Sequence, residues 1–239
     1  MTLVIVLLVV LLLFVAVVLI DRVVVGVAEQ RASDYLATPL GGPTSVRIRG
    51  TPFLSQAVRG RYRRIEITSG GLRMGDISGI EFVARLHNAY LPLRVLVSRG
   101  ESELACEYVE SELVIPYPEL ARLARVPGLA FSYQRERLMA SAALPVPGIS
   151  QLARVSGEAV LTVAGDGAVW LRVRGVAVAG IVVPSIALSQ LLPSLTVPMP
   201  LPPLPYGLRL ERLTPTPAGL AVFGAARAVA LRRARRASD

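Results

Sequence analysis

Residues 46–67 read VRIRGTPFLSQAVRGRYRRIEI, and this stretch establishes the period of the folded part of the chain. At its start, Val46 and Ile48 alternate with charged residues. At its end, Ile65 and Ile67 do the same. A period of two places apolar side chains on one face of a β-strand and charged ones on the other. The stretch therefore predicts two half-buried strands, joined by a segment that contains Gly50 and Pro52.

The same alternation continues through most of the chain. A phase slip near Tyr108 predicts a β-bulge, and two short helices are expected after Pro116 and Pro184. Many short strands with few helices predict an α+β protein built on a mostly antiparallel sheet. The further predicted strands cover residues 80–86, 103–115, 129–140, 153–164, 168–178, 208–214 and 220–230.

Upstream of the strands, residues 3–20 form eighteen consecutive apolar residues. A helix needs about 20 such residues to cross a bilayer. No basic residue precedes this run and no suitable cleavage site follows it, so residues 1–20 are predicted to be an uncleaved transmembrane anchor. A cleaved signal peptide is the alternative. Residues 21–37 keep a helical period, which predicts an amphipathic extension that packs on the sheet.

The net charge is +9, and all 26 basic residues are arginine. Arginine without lysine indicates GC-rich codon usage of the actinobacterial kind. The charge also favours an anionic partner surface, either lipid headgroups or nucleic acid.

Residues 175–208 contain no charged residue, yet their many prolines exclude a second membrane span. Two interpretations stay open. The segment is either a buried strand and helix followed by a loop on the core, or an apolar rim around a lipid cavity.

The groups that catalysis requires are scarce. His87 and Cys106 are the only residues of their types, so no zinc-ligand set of histidines and cysteines can form. No nucleophile elbow and no phosphate-binding glycine loop occurs. A His87 base acting on Cys106 is the remaining enzyme hypothesis. Nucleic-acid binding through Tyr62 or Trp170 among arginines is disfavoured by the anchor. We therefore expect no enzyme activity, no cofactor and no nucleic-acid partner.

Residues 46–62 resemble the LmeA family of actinobacterial cell-envelope phospholipid-binding proteins. In that family a strand ends in Gly-Phe-Pro-Phe-Leu-Thr-Gln, and residues 50–56 here read GTPFLSQ. Thr51 and Ser55 depart from the motif, while the other positions agree. The C-terminal order of strand, turn and strand is also similar, so the resemblance covers most of residues 21–231.

The resemblance implies a tubular lipid-binding fold of the bactericidal/permeability-increasing kind, in which a strongly curved antiparallel sheet wraps a long helix. It also implies an extracytoplasmic domain, although Arg22 after the anchor weakly favours the cytoplasm. The expected organisation is an anchor at residues 1–20, a lipid-binding domain at residues 21–231 and a basic tail at residues 232–239.

The implied function is binding of phospholipid acyl chains in an apolar groove at the membrane, in support of envelope lipid or lipoglycan biogenesis. The alternative is a membrane-anchored scaffold that docks an envelope-biosynthesis enzyme through residues 175–208. The predicted lipid-lining residues are Val24, Val27, Ile48, Phe53, Phe82, Leu104, Tyr108, Leu188 and Leu191. The predicted headgroup or membrane-surface residues are Arg59, Arg61, Arg64, Arg232, Arg233, Arg235 and Arg236.

Overall fold

The structure is a computed structural model that describes residues 2–74, 77–91, 103–145, 152–165, 167–178, 181–182, 196–201, 204 and 207–232. Three helices and twelve strands lie within these residues. The helices are α1 (Thr2–Leu40), α2 (Phe53–Arg59) and α3 (Tyr117–Leu123). The strands are β1 (Thr44–Arg49), β2 (Arg61–Met74), β3 (Ile77–Tyr90), β4 (Glu103–Ile115), β5 (Ala130–Gln134), β6 (Arg137–Pro145), β7 (Leu152–Val163), β8 (Val169–Val178), β9 (Ile181–Val182), β10 (Thr196–Met199), β11 (Arg209–Thr216) and β12 (Gly219–Arg232).

The strands form two antiparallel sheets, which confirms the predicted α+β class. The first sheet has the order β1-β2-β3-β4-β12-β11, and the second has the order β10-β8-β7-β6-β5 with β9 paired to β8. Within the first sheet Val46 lies opposite Ile67, as the alternation predicts. The predicted wrapping of a curved sheet around a helix stays a prediction.

The chain divides into two compact units. The first unit contains Met1–Gly70, Phe82–Ser111 and Ala225–Asp239, and the second contains Gly71–Glu81 and Glu112–Gly224. Strands of the first sheet contribute to both units.

In the first unit, helix α1 covers the open edge of β1. The backbone N–H of Val46 donates to Oγ of Ser33 at 2.9 Å, and the N–H of Ile48 donates to Oε1 of Glu29 at 2.6 Å. Unpaired N–H groups on an edge strand invite pairing with other chains, so these side chains complete the edge. The predicted packing of the α1 extension on the sheet is thus confirmed. The packed side of α1 carries Glu29 and Ser33, while Val24 lies on the exposed side.

Helix α2 is an element that the alternation does not predict. Pro52 precedes it with an extended backbone, and Gly60 ends it in the left-handed conformation. The Gly60 N–H donates to the carbonyl of Ala57 at 3.1 Å. A proline before the first turn and a glycine after the last are typical helix boundaries.

In the second unit, the single strand predicted over residues 129–140 is wrong. A hairpin of β5 and β6 replaces it, and the turn lies at Arg135 and Glu136, whose φ angles are 48° and 64°. Both φ angles are positive, as a two-residue hairpin turn of this type requires. The predicted hairpin near Gly165 joins β7 to β8, and the helix predicted after Pro116 is α3. The helix predicted after Pro184 lies outside the described residues.

Candidate functional site

The connection between α3 and β5 contributes lining residues to three neighbouring spaces in the second unit. Leu120 anchors α3 because its side chain is fully buried. After α3 the chain turns at Arg125, whose φ is 53° and whose N–H donates to the carbonyl of Arg122 at 3.2 Å. A second turn follows, in which the Leu129 N–H donates to the carbonyl of Val126 at 3.2 Å. Residues 124–129 therefore project as a short loop between the helix and the sheet.

One groove, which we call the outer groove, lies between α3, this loop and the start of β5. Its volume is about 590 Å³. The walls include Tyr117, Ala121, Arg122, Val126 and Phe131. Most of these side chains are apolar, and the arginine supplies a charge at the wall.

A second groove, which we call the β8–β10 groove, is lined by the end of α3, β8 and β10 and has a volume of about 460 Å³. Leu123, Val169, Trp170 and Met199 are among its lining residues. Arg125 lines both this groove and the outer groove. Both volumes lie in the range of roughly 300–1,000 Å³ that is typical of small-molecule sites.

A smaller inner hollow of about 50 Å³ adjoins both grooves. Val126 and Leu129 are shared with the outer groove, and Val197 is shared with the β8–β10 groove. Its other walls come from β6, β7 and β8, and include the buried side chains of Ala142 and Leu171. The three spaces share lining residues with one another, and we refer to them together as the hollow region of the second unit.

Val197 and Met199 belong to the uncharged segment of residues 175–208. Both line the β8–β10 groove. Met199 is buried in β10 and Val197 is half-buried, so the described part of the segment fits both interpretations, which stay open.

The charged groups at this site are arginines. Arg122 is hydrogen-bonded to Glu119, whereas Arg125 is exposed and has no ion-pair partner among the described residues. The Tyr117 hydroxyl donates to the carbonyl of Thr216 at 2.5 Å, and burial raises the pKa of Tyr117. The site therefore offers apolar walls with one unpaired cation between the grooves.

Metal and acid–base chemistry find little support in the described part of the chain. It contains no group of three or more His, Cys, Asp or Glu residues that could hold a metal ion. The His87 and Tyr108 rings are tilted by 42° with their centroids 5.8 Å apart, and Nε2 of His87 lies 3.9 Å from Oε2 of Glu110. Burial raises the pKa of Cys106 to about 11, which is the opposite of the shift that activates a thiol nucleophile. These features weigh against the His87 and Cys106 hypothesis.

The residues predicted to line a lipid site lie in the first unit where they are described. Val24 and Val27 are exposed on α1, Ile48 and Tyr108 are half-buried, and Phe53 and Phe82 are buried. None of these six lines the three hollows described above. The Leu104 side chain, Leu188 and Leu191 fall outside the described residues. The lipid-lining role of all nine stays a prediction.

The predicted headgroup residues Arg59, Arg61 and Arg64 are exposed around the end of α2 and the start of β2. The Arg232 side chain, Arg233, Arg235 and Arg236 fall outside the described residues. Nearby, Phe53 and Tyr62 are buried with ring centroids 6.2 Å apart, and the Tyr62 hydroxyl has no hydrogen-bond partner among the described residues.

The sequence did not indicate the loop of residues 124–129 as a site. Its only local signal is Pro127-Gly128, which predicts a turn and nothing about a hollow. Because the walls come from α3, β5, β6, β7, β8 and β10, the hollow depends on tertiary packing.

Two antiparallel sheets and a long apolar N-terminal helix define an α+β protein. The chain belongs to the LmeA-like phospholipid-binding family, whose family model matches residues 19–225. Comparisons with curated proteins and with solved structures give no match.

Proposed function

We propose that the protein binds a phospholipid by its acyl chains at the extracytoplasmic face of the membrane, in support of envelope lipid or lipoglycan biogenesis. Membership of a phospholipid-binding family supports the ligand class. The observation that carries the proposal is that two apolar-lined grooves share Arg125, and that each shares a lining residue with the inner hollow.

Apolar burial supplies the affinity in this mechanism. Each methylene removed from water contributes about 0.8 kcal/mol, so an acyl chain needs only a continuous apolar wall. Ala121, Val126 and Phe131 provide apolar walls of this kind in the outer groove, and the inner hollow of about 50 Å³ has room only for the end of a chain. No bond is made or broken in this mechanism.

The phosphate of the ligand needs a cation close to the apolar wall. Arg125 is exposed, lines both grooves and has no ion-pair partner among the described residues. An arginine binds phosphate through charge-assisted, often bidentate hydrogen bonds. We assign the headgroup contact in this unit to Arg125.

Membrane attachment is assigned to α1. This helix is long and apolar enough to cross a membrane, judged by length and composition. Residues 1–20 form the anchor in this proposal, residues 21–231 the lipid-binding domain and residues 232–239 a basic tail. Val24 and Val27, which are exposed just beyond the anchor, remain candidates for contact with acyl chains that enter from the bilayer.

The test is cross-linking of the full-length protein in nanodiscs with a phospholipid that carries a photoreactive group in its acyl chain. Cross-links to residues 3–20 report the surrounding bilayer, whereas cross-links to residues 126–131, 140–142 or 171–173 report the hollow. We expect both sets. Cross-links confined to α1 would overturn the proposal.

A matched pair of variants adds specificity. Ala142 is buried and lines the inner hollow, while Ala143 is its exposed neighbour in β6. We expect Ala142→Trp to reduce cross-linking in the hollow at least about fivefold, because the indole fills the space. Ala143→Trp should leave the cross-linking unchanged. Equal yields in the two folded variants would place the acyl chain elsewhere.

A further inference from the structure

The end of the apolar span is tied directly to helix α2. Asp21 follows the last residue of the span, and its side chain is buried. Its carboxylate accepts the backbone N–H of Phe53 at 3.0 Å and that of Leu54 at 2.8 Å. The start of α2 therefore lies beside the first residue after the span.

Helix α2 has a buried side and an exposed side. Phe53, Gln56 and Ala57 are buried, whereas Val58 is 77% exposed and Arg59 is also exposed. A single exposed apolar side chain is ordinary on a protein surface, so what distinguishes this side of α2 is its position and its charge. The exposed side of α2 thus combines one apolar residue with charge.

The exposed charged residues between positions 50 and 65 are all arginine. Arg59, Arg61, Arg63 and Arg64 are exposed, and none has an ion-pair partner among the described residues. Arg49 differs, because its guanidinium lies 3.1 Å from a carboxylate oxygen of Glu66. Residues 50–65 contain no acidic residue at all. The four arginines therefore present an uncompensated positive surface.

The contacts along α1 order the first unit by distance from the span. Asp21 contacts α2, Glu29 contacts Ile48, and Ser33 contacts Val46. At 1.5 Å per helical residue, Ser33 lies about 18 Å further along α1 than Asp21. Among these contact points, α2 is the nearest to the apolar span.

We infer that α2 and the four arginines, together the α2 surface, rest on anionic phospholipid headgroups of the bilayer that holds α1. Each basic residue near an anionic leaflet strengthens the association about fivefold, and the attraction falls off within about a Debye length. The α2 surface lies within that range because Asp21 ties α2 to the end of the span. The inference goes beyond the acyl-chain hollow of the second unit and does not depend on it.

The experiment measures depth in nanodiscs of phosphatidylcholine, with and without phosphatidylglycerol. Full-length protein with Cys106→Ala carries a fluorophore on Val58→Cys or, as the control, on Ser45→Cys. Ser45 is exposed on β1 next to Val46. Val46 contacts Ser33, which lies about 18 Å further along α1 than Asp21. Lipids with a spin label at the headgroup quench the fluorophore when it is close.

We expect strong quenching at position 58, little at position 45, and a several-fold increase at position 58 when phosphatidylglycerol is present. Replacing Arg59, Arg61, Arg63 and Arg64 with Gln should return position 58 to the phosphatidylcholine value. If Val58→Cys fails to fold, the label moves to Arg59→Cys, which is also exposed, and the arginine test then replaces Arg61, Arg63 and Arg64.

Two results would overturn the inference. One is equal quenching at positions 45 and 58 in anionic nanodiscs. The other is quenching at position 58 that responds neither to phosphatidylglycerol nor to loss of the arginines. Because the readout is confined to the first unit, either result leaves the acyl-chain cross-linking in the second unit unaffected.

Discussion

The side-chain amide of Gln56 occupies the space that a side chain on Gly50 would need: a Cβ atom at Gly50 would lie 2.8 Å from Nε2 of Gln56. That Nε2 donates to the Gly50 carbonyl at 2.8 Å, and Oε1 accepts the N–H of Arg63 at 3.1 Å. Gln56 thereby joins the end of β1 to the start of β2 across α2. These residues of the family-like motif hold the turn together.

Substitution at Gly50 should therefore destabilise the protein. Gly50→Ala adds a Cβ atom in contact with Gln56 at a φ of 114°, so we expect the free energy of unfolding to fall by about 2–3 kcal/mol. Gly70→Ala is the control, because no atom lies within 4 Å of its added Cβ. Thermal unfolding of the detergent-solubilised full chain gives both values. Equal effects of the two substitutions would contradict the close contact.

Loss of the Asp21 carboxylate should loosen α2. Asp21→Ala leaves the N–H groups of Phe53 and Leu54 without their acceptor, so α2 should open more often. We expect trypsin to cleave after Arg59 about tenfold faster than in the unchanged protein. Asp34→Ala is the control, because Asp34 is exposed on the same helix and accepts only from Gln30. An unchanged cleavage rate for Asp21→Ala would refute the tie between α1 and α2.

The thiol of Cys106 should be unreactive while the protein is folded. Burial raises its pKa from an ordinary value of 9.0 to about 11, so the folded protein holds the proton more tightly than the unfolded chain. At pH 8 the thiolate fraction should be about 100-fold lower than in denaturant, with alkylation slowed accordingly. The same shift contributes stability that is complete below pH 9 and is lost as the pH rises through about 11. Alkylation at equal rates in the two states would show that Cys106 is exposed.

The β5–β6 turn offers a stabilising change. Arg135 and Glu136 both have positive φ, which costs energy for residues with long side chains. Arg135→Asn with Glu136→Gly supplies the residues that such turns prefer, and we expect the free energy of unfolding to rise by about 1 kcal/mol. Gln134→Asn in the adjoining strand should give no gain. A loss of stability in the double variant would argue against this turn geometry.

The alternation of apolar and polar residues correctly predicted those strands in which every second side chain is buried. Ile80, Phe82, Ala84 and Leu86 are all buried in β3, as the alternation requires. In β4 the buried positions change phase between Cys106 and Val109, where the sequence predicts a slip. The long apolar helix and its extension were also predictable, because eighteen apolar residues leave few other structures.

Three features that the sequence did not predict have physical explanations. The Arg135–Glu136 turn contains no glycine or asparagine, which are the residues that mark such turns in a sequence. The sequence therefore predicted one continuous strand across it. Helix α2 is short and carries apolar residues on both sides, with Val58 exposed. The hollow region of the second unit depends on side chains from six elements, and no residue near Arg125 has an unusual sequence pattern. Resemblance pointed to a lipid ligand but not to the unit in which the hollow lies.

Helix α1 continues without a break from Thr2 to Leu40, a length of about 58 Å, and no flexible linker separates its apolar end from the part bonded to β1. Tilting the apolar end must therefore tilt β1 by a similar angle. In a thinner bilayer, a long apolar helix tilts further from the membrane normal. The first unit would then change its inclination as well. The thickness of the bilayer would therefore influence the orientation of the first unit on the membrane.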